Sequence, residues 1–366
     1  MLTSARWAAR AAAAVAAAAV VASGPVAFAL TAPAPVTGTA TIALVQPGTA
    51  TSPALRVDAS QRLTADLFRP GRRDGARASR PTGPTGSTPP DLVVWGESSV
   101  AAHLESDTSL LRSIEKISKI NKTQILVNQD SVHDGDKSKV AVLVGPDGIA
   151  GTYTKTRLVP FGEYIPFRSA LSWLTNISRA ARVNMVPGTG AHVLRVTEPD
   201  GRPLVIGPLI CFESAFPDMS RVDTDRGARV IVYQTADSTF QGTWALAQHA
   251  SLDALRAAET GRPVVQAALT GDSDAFDSRG RQLAWMRQAQ RGVTTVRLGL
   301  PAVSSRTIYD QLGDYVPWAA TGVAALAGLA GLLRLRDRRP GKGGATGTDT
   351  AQYEPGSGLH VPNVPS

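Results

Sequence analysis

Cys211 is the only cysteine among 366 residues, so it has no intramolecular disulfide partner. It closes the apolar run Leu204-Val-Ile-Gly-Pro-Leu-Ile210, and Phe212 and Glu213 follow it. A free cysteine is most often a small buried hydrophobe. Two charged residues in matching settings favour chemistry instead. Glu97 follows Leu92-Val-Val-Trp-Gly96, and Lys155 follows Gly151-Thr-Tyr-Thr154. A thiolate attacks carbonyl carbon, a carboxylate can move its proton, and an ammonium can steady the oxyanion that forms. The three residue types make a Glu-Lys-Cys acyl-transfer set, provided the fold brings them together.

Two more carboxylates belong with this set. Glu163 stands in Leu158-Val-Pro-Phe-Gly-Glu163-Tyr-Ile-Pro166, where two prolines, a glycine and large apolar residues pin it rather than leave it loose in water. Glu213 lies two residues past the thiol. His133, in a polar turn, and His249, inside a helical stretch, are weaker partners for the cysteine; for His249 a structural or substrate-side role is expected. Neither the cysteine nor the histidines have metal-ligand spacing, and no glycine-rich phosphate loop follows a strand, so no metal and no cofactor are expected.

Buried strands must carry these side chains. Apolar runs predict strands over 41–46, 92–95, 123–127, 140–144, 192–196, 204–210, 229–234, 263–268, 273–277 and 292–297. His133-Asp134-Gly135 and Asp277-Ser-Arg-Gly280 read as turns. Helical spacing covers 58–68 and 109–120. A helix over 243–260 is ended by Gly261-Arg262-Pro263, a C-cap followed by a breaker. The segment 71–90, rich in Gly, Pro, Ser and Arg, reads as a surface loop. Strands and helices interleave, which implies an α/β domain with helices covering a mainly β core.

The ends of the chain differ from its middle. Residues 11–30 and about 315–333 are almost free of charge, and each approaches the ~20 residues needed to cross a bilayer. Arg6 and Arg10 precede the first stretch; Arg334, Arg336, Arg338 and Arg339 follow the second. Positive charge marks the cytoplasmic side, which puts both termini inside and residues of about 35 to 312 outside. Tyr315 and Trp318 suit an aromatic anchor at the outer interface. For the first stretch a cleavable signal peptide ending near Ala27-Phe-Ala29 is an equal alternative; for the second the alternative is a buried core helix. The net charge of +8 comes with arginines clustered in the membrane flanks and at Arg69, Arg72 and Arg73, without interleaved aromatics. That pattern suits anionic lipid head groups and not nucleic acid.

With these residues in view, the chain resembles the nitrilase, or carbon-nitrogen hydrolase, superfamily and, within it, the apolipoprotein N-acyltransferase family. The resemblance covers roughly residues 40 to 300. It is carried by Val-Val-Trp-Gly-Glu97-Ser, by Tyr-Thr-Lys155-Thr-Arg-Leu-Val-Pro-Phe-Gly-Glu163-Tyr-Ile-Pro, by Ile-Cys211-Phe-Glu213 and, more weakly, by Arg256-Ala-Ala-Glu-Thr-Gly-Arg-Pro263. This chain has Gly96 where the family usually has proline, Phe212 where tyrosine is frequent, and Ala236-Asp-Ser-Thr239 in place of an Asn-Asp-Ala/Ser-Trp string. It has at most one of the several membrane helices that the family carries before the catalytic domain.

The resemblance implies an α/β nitrilase-like four-layer α-β-β-α sandwich with flanking transmembrane helices. It implies Glu97 as general base, Lys155 as oxyanion stabiliser and Cys211 as nucleophile, with Glu163 and Glu213 as supporting carboxylates. The implied partners are a membrane, a phospholipid acyl donor and a diacylglyceryl apolipoprotein acceptor, with the catalytic domain on the extracytoplasmic side of the cell membrane. The corresponding boundaries are a membrane segment or signal peptide with linker over 1–38, a catalytic domain over 39–312, a transmembrane helix over 313–336 and a disordered cytoplasmic tail over 337–366. Within this architecture 161–173, with Phe167 and Leu171, is either a lipid-facing lid or part of the core. An exported amidase acting on a small C–N substrate and an inactive membrane-tethered binding module are the competing readings.

Overall fold

A computed structural model describes residues 2–48, 52–69, 89–101, 103–133, 135–171, 173 and 184–337. Most of the surface loop expected at 71–90, and all but the first residue of the tail expected at 337–366, lie outside the described residues. The chain divides into two compact units: residues 26–315, and the terminal stretches 1–25 and 316–366.

The larger unit contains two six-stranded mixed sheets. The first has the strand order β12-β1-β2-β3-β4-β5, built from β1 (Val36–Gln46), β2 (Leu92–Trp95), β3 (Gln124–His133), β4 (Asp136–Gly145), β5 (Gly148–Thr154) and β12 (Gly292–Pro301). The second has the order β11-β10-β9-β8-β7-β6, built from β6 (Leu194–Thr197), β7 (Pro203–Ile210), β8 (Val230–Thr235), β9 (Val264–Ala268), β10 (Ser273–Phe276) and β11 (Gln282–Met286). Parallel triplets β1-β2-β3 and β7-β8-β9 form the middle of each sheet.

Alternation of side chains across the pleat explains the layering. Ile42, Leu44, Leu92 and Val94 join Leu204, Ile206 and Leu209 of the second sheet in one core cluster. Their sequence neighbours Ala43, Val45, Val93 and Trp95 point the other way and pack with Val57, Leu63, Leu111 and Ile114. Those residues lie on α2 (Pro53–Leu67) and α3 (Thr108–Asn121). On the far side, α5 (Pro217–Asp225) and α6 (Ala245–Thr260) contribute Met219 and Ala257 to the core of the second sheet. The result is the expected α-β-β-α sandwich. Gly261 caps α6 in the left-handed conformation, as its sequence position predicts.

Two strands, β5 and β11, and three helices, α4 (Arg168–Leu171), α5 and α7 (Ile308–Leu312), escaped the sequence reading. β5 contains two glycines, Gly148 and Gly151, which dilute its strand signal. β11 has only a short apolar run around Trp285. α4 and α7 span only four and five residues, and α5 is polar over most of its length (Pro-Asp-Met-Ser-Arg-Val-Asp-Thr-Asp).

The terminal stretches carry helices of a different kind. α1 (Leu2–Leu30) and α8 (Tyr315–Asp337) contain Arg10–Leu30 and Tyr315–Arg334, each long and apolar enough to cross a membrane. No part of either apolar window is buried within the protein, so α8 is not a core helix.

Candidate active site

Strand ends deliver the candidate residues. Glu97 lies two residues past β2, Lys155 directly follows β5, and Cys211 directly follows β7 as the first residue of a 3-10 turn, Cys211–Ala215. Cys211 (φ 52°) and Ser98 (φ 55°) both sit in the left-handed region. A non-glycine residue held there costs about 1–3 kcal/mol and persists only where its surroundings enforce it.

Glu213 does much of that enforcing. It is fully buried, and its carboxylate accepts from Ile210 N at 2.8 Å, Tyr153 Oη at 2.8 Å, Thr156 N at 2.7 Å and Arg157 N at 2.9 Å. One side chain therefore ties the Cys211 turn to the residues on either side of Lys155. Burial raises its pKa, against these backbone donors.

Lys155 is 0% exposed. Its Nζ lies 2.7 Å from Glu163 Oε1 and 3.5 Å from Glu97 Oε1. Burial alone would lower its pKa, but Glu97, Cys211 and Glu163 together hold it above the ordinary lysine value, so the group stays an ammonium. Glu163 Oε2 accepts from Val159 N at 2.8 Å, which closes the Val159–Glu163 turn and aims the other oxygen at the lysine.

Glu97 is 3% exposed. Its N donates to Thr235 O at 3.1 Å and its Oε2 accepts from Ala236 N at 3.1 Å, linking it to the end of β8. A second ammonium, that of Lys139 on β4, lies 3.4 Å from Oε1. Burial would raise the Glu97 carboxyl; Lys139 and Lys155 outweigh it and hold the group at about 2. The thiol moves the opposite way. Burial pushes Cys211 well above its ordinary value, Glu97 adds to this, and Lys155 opposes it. The resting proton therefore sits on sulfur, within electrostatic reach of both a carboxylate and an ammonium.

Beside the thiol lies His249, on α6. Its Nδ1 is 3.0 Å from Asp237 Oδ1 and its Nε2 is 3.2 Å from the Cys211 carbonyl oxygen. Burial would lower the imidazole, but its bond to Asp237 and that charge raise it to about 9. The protonated ring donates to both oxygens and braces the Cys211 turn. Possible ligand atoms of Cys211, Asp237 and His249 lie within 4.8 Å of one another, but a protonated ring with both nitrogens so engaged offers no lone pair to a cation.

All five residues singled out in the sequence thus converge on one site. Among the described residues the sequence reading missed two features of it: Lys139 and the Asp237–His249 pair. The β3–β4 register places Lys139 opposite Asp130. Phe161, Phe167 and Trp173 are exposed, at 53%, 82% and 56%. They do not pack in the core, whereas Ile165 of the same segment does.

A Glu-Lys-Cys cluster at strand ends between two sheets defines a chemistry, and comparison with known proteins gives its family. The carbon-nitrogen hydrolase family model matches residues 81–306, well over half the chain. The chain belongs to the carbon-nitrogen hydrolase family. Relatives named apolipoprotein N-acyltransferase include one from Geobacter metallireducens, 34% identical over 250 residues, covering 66% of this chain and 46% of the relative. Another, from Rhizobium meliloti, is 32% identical over 320 residues, covering 83% and 56%. The chain spans about half the length of the relatives it matches. Among solved carbon-nitrogen hydrolase folds, Saccharomyces cerevisiae Nit3, a member of the nitrilase superfamily, superposes with a TM-score of 0.51 at 13% identity over 73% of this chain and 93% of its own. The carbon-nitrogen hydrolase from Helicobacter pylori G27 gives 0.51 at 13% identity over 71% and 89%.

Proposed function

We propose that this carbon-nitrogen hydrolase is an acyltransferase that moves an acyl chain from a phospholipid to the N-terminal amine of a diacylglyceryl-cysteine apolipoprotein. Glu97 is its general base, Lys155 its oxyanion stabiliser and Cys211 its nucleophile. The observation that carries this reading is the meeting of Cys211, Glu97 and Lys155 around one point, with Glu163 and Glu213 fixing the lysine and the thiol. The names of the relatives support lipoprotein N-acylation as the direction of transfer.

In the first half-reaction Glu97 takes the Cys211 proton as sulfur bonds to the ester carbonyl carbon. Charge develops on the carbonyl oxygen beside the Lys155 ammonium; losing one such stabilising donor typically costs about 10²–10³ in rate. The carbon–oxygen ester bond then breaks. Glu97 returns its proton to the departing alkoxide, which leaves as lysophospholipid, and a thioester remains on Cys211. In the second half-reaction the acceptor amine attacks the thioester carbon, Glu97 takes the amine proton, and the thiolate leaves and regains it. An amide and the free thiol result.

Burial shields the thioester from water, and the high thiol pKa keeps sulfur protonated until an acyl carbonyl is in place. The exposed aromatics Phe161, Phe167 and Trp173 suit contact with acyl chains. The working division is a catalytic domain over 39–312 on the extracytoplasmic face, tethered by a transmembrane helix over 313–336. Holding the site where donor and acceptor both reside replaces a three-dimensional search.

The test is expression of the wild-type and Cys211→Ala chains in cells lacking N-acylation, with the N-terminal peptide of a lipoprotein weighed by mass spectrometry. An added acyl chain with wild type alone is expected. Equal acylation by both chains refutes the reading, and turnover of small soluble amides with no lipoprotein product supports an amidase instead.

A further inference from the structure

Glu97 lies at the centre of a row of alternating charges. Its Oε1 faces Lys155 at 3.5 Å and Lys139 at 3.4 Å. Each lysine has a closer carboxylate on its far side: Glu163 at 2.7 Å for Lys155, and Asp130 at 2.8 Å for Lys139. Lys155 is thus shared with a nearer acid, and a single shared ammonium would leave Glu97 under-compensated in a buried setting, where an unpaired charge is costly.

Lys139 is built to fill this role. The β3–β4 register places it opposite Asp130. Its carbonyl oxygen accepts from Lys155 N at 2.9 Å, so the two lysines share a backbone link. Its Nζ donates to Ser98 Oγ at 2.6 Å, and that hydroxyl in turn donates to Asp130 Oδ1 at 2.9 Å. Ser98 N donates to Asn128 Oδ1 at 2.9 Å, which holds the left-handed residue next to Glu97 in place. The Cys211 thiol, after β7, is a further titratable group bearing on Glu97, and Asp237, after β8, bears in turn on Cys211.

We propose that Lys139 is a positioning residue for the acyl-transfer reaction, a second cation that keeps the Glu97 carboxylate ionised and turned toward the thiol while Lys155 serves the oxyanion. This rests on the reading of Glu97 as the proton acceptor. When Glu97 carries the Cys211 proton, the same cation makes it a stronger acid and speeds proton return to the leaving group. Charge, and not bulk, is the property that matters.

The test uses the full chain in detergent micelles with ¹³C-labelled glutamate carboxyls, and the Glu97 signal is assigned from its loss in Glu97→Gln. In Lys139→Met and in Lys139→Gln, which keeps polar contact with Ser98 and Asp130, the Glu97 titration midpoint rises by about one pH unit or more, a tenfold change in proton affinity. Lys139→Arg stays near wild type. The acid limb of Cys211 thioester formation from a p-nitrophenyl acyl ester moves up in pH with the same two neutral variants. Equal Glu97 midpoints in wild type and both neutral variants overturn the proposal, as does an arginine variant that shifts as far as they do. A shifted Glu97 midpoint with no thioester in wild type leaves Lys139 as the cation that sets Glu97 and refutes the acyl-transfer reading.

Discussion

The His249–Asp237 pair makes the stability of the 26–315 unit fall at alkaline pH. The imidazole is raised from 6.5 to about 9, despite burial, by its hydrogen bond to and the charge of Asp237. That gap, at ~1.4 kcal/mol for each unit of pKa, corresponds to roughly 3 kcal/mol. The ring is only 17% exposed, so solvent screening removes little of it. The sign follows from the direction: a group with its folded pKa raised contributes fully below the unfolded value. The stabilisation is therefore complete below pH 6.5, declines above it, and is gone once the pH has risen through about 9. His249→Gln removes the titration. The assay is urea unfolding of the full chain in detergent, followed by tryptophan fluorescence at intervals between about pH 6 and 10. Wild type should lose roughly 3 kcal/mol more than His249→Gln across that range. Parallel curves for the two chains refute the argument, because they mean that His249 gains no proton affinity on folding.

Two substitutions probe how the site is framed. Glu213→Gln turns an amide N–H₂ toward donors that now meet a carboxylate, and should cost about 1.5–3 kcal/mol in urea unfolding while slowing thioester formation; an unchanged midpoint contradicts the bracing role. At Gly96 a Cβ would stand 2.4 Å from Leu269 N and 2.7 Å from Ala268 C. Gly96→Ala should therefore push the two sheets apart beside Glu97, at about 1–3 kcal/mol, and unchanged stability and thioester rate would count against that packing.

The close approach at Gly96 gives its glycine a physical reason, since Leu269 N donates to Thr235 O at 2.8 Å and Glu97 N donates to the same oxygen at 3.1 Å. That reason was invisible in the sequence, because it depends on which strand of the second sheet lies opposite. The strands that bear the site were legible: β2 and β7 are short runs of β-branched and apolar residues ending at a charged residue and a thiol. Glu163 was legible through the rigid prolines around it. Lys139 was not singled out because Asp136-Lys-Ser-Lys139 looks like a solvated strand end. Only the cross-strand register and the neighbouring Lys155 backbone turn its side chain inward. His249 was read as structural or substrate-side, and its bond to the Cys211 carbonyl gives it a structural role. Asp237, held in the left-handed conformation after β8, was visible only as a residue that Ala236-Asp-Ser-Thr239 keeps at its place in the family's Asn-Asp-Ala/Ser-Trp string.

The most direct test of the account is the intact mass of the full chain after incubation with phospholipid of a single acyl composition and no acceptor. The account predicts one added acyl chain on wild type, released by neutral hydroxylamine as a thioester must be, and none on Cys211→Ala. An adduct that survives hydroxylamine, one that also forms on Cys211→Ala, or no adduct on wild type would contradict it.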